Sequence, residues 1–252
     1  MDPYIGVTGF TKPEEVTAAL HAFPYHKNRK LMVGVLATWK SLHGIPMKPR
    51  WVNRTPDPGA VGDLFPSDGC VVNLVHFSTE EGKESSVLAD LLDMGDIAGP
   101  NFHGFQLNIK WPEIRQIDDY RMIVGWDQRI VLQIGNGAIE AVGGTPKGVA
   151  DMLYNYIGLI DDVLFDQSGG LGKPLDTERA RRFLYAIAER GWDLGLGVAG
   201  GLSPDSLGLV EPLVAEFPDL SIDAEGQLRN PEDNLDLEAV RKYLTNASQL
   251  FA

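Results

Sequence analysis

A chain of 252 residues, 44% of them hydrophobic, is ample for a buried core. Its formal charge of −13 excludes nucleic acid and anionic membrane as main partners, since a polyanion is repelled, whereas a small anionic ligand sees only its local site. One cysteine, Cys70, excludes an internal disulfide framework; with neither a basic-then-apolar leader nor a membrane-length apolar run, a cytoplasmic location is the expectation.

Apolar runs and helical patterns alternate along the whole chain. A first strand over residues 4–8 leads to Thr11-Lys12-Pro13-Glu14-Glu15, a helix start with proline in the first turn and acids at the positive end. That helix stops at Pro24. A second strand (31–37) runs into a long polar, proline-rich loop (38–58) with a short helical stretch near 60–65, and then a third strand (70–77). Helix 85–94, strand 105–109, helix 112–124, strand 130–134 and helix 146–160 follow. Strand 163–166 and helix 176–190, strand 194–199 and a helix opened by Pro204-Asp205, then strand 220–224 and helix 236–250 complete the chain. Near-continuous apolar strands with helical crossovers imply a parallel sheet covered on both faces. Eight such units in about 250 residues predict one (β/α)8 TIM barrel over residues 1–252.

The sixth unit is the most informative. Val163, Leu164 and Phe165 deliver a carboxylate, Asp166, to a turn, Ser168-Gly169-Gly170-Leu171-Gly172-Lys173, and Asp176 is placed to cap the next helix. Similar glycine turns follow strands seven (Ala199-Gly200-Gly201-Leu202-Ser203-Pro204) and eight (Asp223-Ala224-Glu225-Gly226). Glycine lets backbone N–H groups approach an anion, and the loops after strands seven and eight are the usual phosphate site of a barrel. The plainer reading is a set of tight βα turns.

These residues resemble the phosphoribosylanthranilate isomerase family, barrels that perform an Amadori rearrangement in tryptophan biosynthesis. Leu164-Phe165-Asp166-Gln167-Ser168-Gly169-Gly170-Leu171-Gly172-Lys173 is similar to its Leu-Asp-Thr/Ser-Gly-Gly-x-Gly-Lys signature, and Ala199-Gly200-Gly201-Leu202-Ser203-Pro204 to its Ala-Gly-Gly-Leu-Asn-Pro loop. Thr8-Gly9-Phe10-Thr11-Lys12-Pro13-Glu14-Glu15, Lys48-Pro49-Arg50-Trp51-Val52 and Gly104-Phe105-Gln106-Leu107-Asn108 are weaker matches in the same order. The resemblance implies Asp166 as general acid, Gly170, Gly200, Gly201, Leu202 and Gly226 around a phosphate, and Arg50, Asn108 and Lys173 as further substrate contacts. It also exposes departures. Thr8 stands where the family has its cysteine base, and a threonine hydroxyl is no base without a partner to take its proton. Glu225 stands where the phosphate would sit, and Asn108 replaces a histidine.

The bland readings are a structural acid for Asp166, a rim lysine for Lys173 and a solvated arginine for Arg50. His43, His76 and His103 lack any local metal-binding signature, so no metal and no cofactor is expected; His43 or His76 is a candidate for the missing base. Gln106, Asn108 and Gln133 either line a pocket or hydrogen-bond one another at the polar end of the barrel. The expected function is an isomerase-type enzyme on a small phosphorylated, sugar-like substrate. Asp166 would open a furanose ring or move a proton between adjacent carbons. The alternatives are a non-catalytic protein that binds a small anion, and a lyase or aldolase on the same scaffold.

Overall fold

Strand follows strand around a closed barrel in a computed structural model that describes residues 1–24, 28–168 and 173–251. The strands are β1 (Tyr4–Thr8), β2 (Lys30–Thr38), β3 (Val71–Ser78), β4 (Gly104–Leu107), β5 (Arg129–Ile134), β6 (Asp162–Asp166), β7 (Gly195–Ala199) and β8 (Ser221–Ala224). All neighbours are parallel and β1 pairs with β8, as expected for a TIM barrel. The helices are α1 (Pro13–Ala22), α2 (Trp39–Leu42), α3 (Pro49–Val52), α4 (Val87–Ala98), α5 (Ile114–Val124), α6 (Asn136–Ala141), α7 (Pro146–Leu153), α8 (Thr177–Ala188), α9 (Glu211–Glu216) and α10 (Leu237–Leu250). Among the described residues no helix is long and apolar enough to cross a membrane.

Caps placed by the sequence are present. The Asp176 carboxylate accepts from the Arg179 N–H at 2.9 Å and starts α8; Asp236 accepts from Glu238 and Ala239 and starts α10. At α1 the N-cap is Lys12, and Glu15 reaches back to the N–H groups of Thr11 and Lys12. Four expected elements differ. The loop over 38–58 contains α2 and α3. The helix expected over 146–160 ends at Leu153 in a tighter turn, Tyr154–Tyr156, before Gly158 with φ 83°. The helix opened at Pro204 is instead a 3₁₀ turn and then α9, because Pro212 supplies no N–H to continue it. β4 stops at Leu107, and α6 is an extra helix whose flanking glycines hid its pattern.

Alternation along each strand divides the core in two. Ile5, Val7, Val33, Val35, Phe105, Leu132, Phe165 and Ile222 face the helices in the main core, while Met32, Val72, Leu74, Val131 and Leu164 pack together inside the barrel. The N-terminal end of the interior is polar. Arg129 donates through Nε and Nη2 to both oxygens of Asp162 at 2.6 and 2.5 Å, and its Nη1 donates to the Asp2 carbonyl. The Tyr4 ring lies 5.1 Å from this guanidinium. The plug closes the barrel floor and leaves the C-terminal end as its mouth.

Gly104 pairs with Arg129 at the start of the β4–β5 ladder. Its φ is 146°, and a Cβ there would lie 1.9 Å from the Arg129 carbonyl oxygen. Since the Arg129 atoms it would meet all belong to backbone, no side chain can yield. Gly104→Ala is therefore expected to cost about 3 kcal/mol or more, read as a lowered urea midpoint; an unchanged midpoint would contradict this close approach.

Candidate functional site

At the mouth, an inward position near the end of six strands carries a polar side chain: Thr8, His76, Gln106, Gln133, Asp166 and Asp223, all buried. Their hydrogen bonds run across the barrel. The Thr8 hydroxyl donates to the Asp223 carboxyl, 3.0 and 2.9 Å from its two oxygens. Gln106 Nε2 lies 3.2 Å from Asp223 Oδ2, 3.2 Å from Gln133 Oε1 and 2.9 Å from His76 Nδ1. Gln133 Nε2 donates to Asp166 Oδ2 at 2.9 Å, and Asp166 Oδ1 accepts from the Ser168 N–H and hydroxyl at 2.7 and 2.8 Å. Two carboxyl groups are thus joined through two amides. Gln106 Nε2 has three acceptors for two hydrogens, while its Oε1 is buried without a partner.

Burial raises the Asp223 carboxyl to about 7 against the bonds from Gln106 and Thr8, and the nearby Glu225 and Asp166 charges push the same way as burial. His76 is lowered, chiefly by burial, although Glu225 and Asp166 oppose this, so its neutral form prevails near pH 7. The unfolded chain releases its Asp223 proton near pH 4, while the folded chain keeps it to about 7. Over that window the native state binds more protons, so stability falls as pH rises, and the loss is complete above the folded value. Asp223→Asn removes this dependence. Relative to wild type it should gain up to about 4 kcal/mol between pH 4 and pH 8, by linkage for a displacement of this size. Urea unfolding of both proteins across that range checks it; parallel pH profiles would contradict it.

Above this layer lies a cavity of about 240 Å³, lined by Asp166, Asp223, Gln106, Gln133, His76 and Asn108 at its base. One wall comes from the long β2 loop, with Met47 and Trp51; the other comes from the β7 and β8 loops, with Gly200, Gly201, Glu225 and Gly226. The two sides are clasped together. Arg54 donates to Glu225 Oε1 at 2.8 Å and, through Nε and Nη2, to Asp233 at 2.8 and 2.6 Å, while Asn53 donates to the Glu232 carbonyl. Hydrogen bonding from Arg54 holds the Asp233 carboxyl below its usual range.

The expected site residues divide accordingly. Asp166, Asn108, Gly200, Gly201, Glu225 and Gly226 line the cavity. Asn108 Nδ2 lies 3.4 Å from His76 Nε2. Gly201, at φ 64°, abuts the Lys173 carbonyl, which a Cβ would meet at 2.2 Å, so it fixes the β7 loop against the segment after β6. Thr8 is not in the lining and reaches the site through Asp223; Leu202 is buried outside it. Arg50 and Lys173 are exposed and outside the lining, with the Arg50 guanidinium 5.0 Å from the Trp51 ring. Gly170 lies outside the described residues. Sequence reasoning missed Asp223 and Arg54. An acid two positions before Glu225 in an inward-facing strand was the available signal for Asp223; the clasp of Arg54 had none.

The three histidines stand apart. His43 pairs with Asp90 at 2.8 Å on the outer layer, and His103 accepts the Asn73 N–H at the opposite end from the mouth. Among the described residues no group of three His, Cys, Asp or Glu side chains is arranged to hold a metal ion.

Solved structures share this architecture end to end. Phosphoribosyl anthranilate isomerase from Thermus thermophilus superposes with a TM-score of 0.66, covering 98% of this chain and 99% of that one at 15% identity. The fold is that of phosphoribosyl anthranilate isomerase. The Thermotoga maritima enzyme gives 0.66 at 16% identity over 99% and 100% of the two chains. The tryptophan synthase alpha subunit from Legionella pneumophila gives 0.61 at 12% identity over 99% and 92%. No protein-family model matches the chain, and no curated protein sequence does. The phosphoribosyl anthranilate isomerase fold therefore rests on coordinates as well as on the motifs around Asp166 and Gly200.

Proposed function

We propose that this barrel is an acid–base enzyme of isomerase type, acting on a small sugar-like molecule, and a divergent relative of phosphoribosyl anthranilate isomerase. The observation that carries the reading is the pair Asp166 and Asp223, both lining one cavity and joined through Gln133 and Gln106. Moving a hydrogen between adjacent carbons needs one group to remove it and another to protonate the neighbouring oxygen. Asp166 is the acid. Asp223, titrating near 7, is the second proton carrier and supplies what Thr8 lacks. Thr8 keeps a role one step back, orienting the Asp223 carboxyl.

The test is exchange of the C2 hydrogen with solvent. Aldoses, with their amino and phosphate derivatives, are incubated in D2O with the protein and followed by proton NMR. Enzyme-dependent loss of the C2 signal in at least one compound is the expected result. No exchange in any of them would favour a binding protein that has lost the chemistry.

A further inference from the structure

The charge around the cavity selects among ligands. Its lining carries four carboxyl groups, Glu80, Asp166, Asp223 and Glu225, against two lysines, Lys40 and Lys48. Lys40 is already paired with Glu80 at 3.0 Å, and Lys48 is exposed at the rim. Glu225 follows β8 and lines the cavity beside Gly226, at the place of a phosphate in the resemblance. Arg54 also serves Asp233 through two further bonds, and Arg229, the other guanidinium within electrostatic reach of Glu225, is engaged by the Asp233 and Gly9 carbonyls. The opposite wall is apolar and aromatic, with Leu36, Ala37, Met47 and Trp51. A dianionic phosphate ester brought here would face Glu225 directly, and like charges in a half-buried site repel. An ammonium group would instead form a charge-assisted bond to the same carboxylate, while the C–H face of a sugar ring covers the apolar wall.

On the reading that this cavity is the substrate site, we propose that it takes a polyhydroxy molecule of about one sugar ring that carries a protonated amine, received by Glu225. Asn108 and Ser78, both in the lining, are neutral partners for its hydroxyls. Glu225 is then the residue that sets specificity, in a position where a small hydroxyl residue would serve a phosphate.

The experiment uses the full chain labelled with ¹³C at methionine methyl groups. The Met47 signal reports on the cavity wall during titration with glucosamine, glucose, glucose 6-phosphate and inorganic phosphate. Glucosamine is expected to move the Met47 signal at concentrations about tenfold or more below those needed for glucose, as expected for one charge-assisted hydrogen bond. Glucose 6-phosphate should show no advantage over glucose. Glu225→Gln, which can still accept from Arg54, should bring glucosamine down to the level of glucose. The proposal is overturned if glucose 6-phosphate or phosphate acts at lower concentration than glucosamine. It also falls if glucosamine has no advantage over glucose, or keeps one in Glu225→Gln. A phosphate ester that both binds more tightly and exchanges its C2 hydrogen would remove the amine while leaving the acid–base reading in place.

Discussion

Replacing Asp166 with Asn is expected to slow C2 hydrogen exchange by about 10²–10⁴-fold, the usual contribution of one positioned acid or base, with the fold unchanged. The fold should survive because the substitution touches only the polar layer. An asparagine keeps one oxygen for the Ser168 N–H and hydroxyl, and only the bond from Gln133 is lost. The apolar contacts of Val163 and Phe165 with the helices are untouched. Asp223→Asn should lose activity by a similar factor, and the double variant little more, because the two groups act as one unit in the reaction. Exchange rates followed by NMR, with circular dichroism as the check on folding, decide the matter. A folded Asp166→Asn protein with undiminished exchange would remove Asp166 from the chemistry.

The second large effect lies at the other end of the barrel. Arg129→Met should destabilise the protein by about 3–5 kcal/mol, because it leaves Asp162 buried without its cation. The ion pair itself contributes less than that figure suggests, since burying both charges offsets most of their attraction. The double variant Arg129→Met with Asp162→Leu should therefore recover much of the loss. Urea unfolding of the two single variants and the double variant measures this coupling. A loss below about 1 kcal/mol in Arg129→Met would show that water reaches the floor of the barrel. Neither variant should alter ligand preference, as the apolar layer of Met32, Leu74, Val131 and Leu164 separates the plug from the mouth.

Most of the barrel was legible in the sequence because each strand is buried on both faces, which leaves an unbroken apolar run such as Val33, Gly34 and Val35. The helices were legible where a cap and a stripe coincide, as at Asp176 with Phe183, Leu184 and Ile187. Those that failed depend on tertiary contacts. The helix expected over 146–160 ends early as Tyr156 turns to donate to the Pro112 carbonyl at 2.6 Å, a contact that no local pattern encodes. The site divides in the same way. Asp166, Gly200 and Gly201 sit in recognisable turns and were placed from sequence. Asp223 looked like one more loop acid, because its raised titration comes from burial at the centre of a closed barrel. Arg54 and Glu225 are separated by 171 positions in the chain and meet only when the β2 loop folds over the β8 loop.

Folding turns Asp223 into a group that exchanges its proton near neutrality. A ¹³C carboxyl NMR titration, with Asp223→Asn to assign the resonance, measures this without any substrate. A midpoint near 7 is the predicted result. A midpoint near 4, the ordinary value for an aspartate, would contradict it and leave the site without the second proton carrier that the proposed reaction requires.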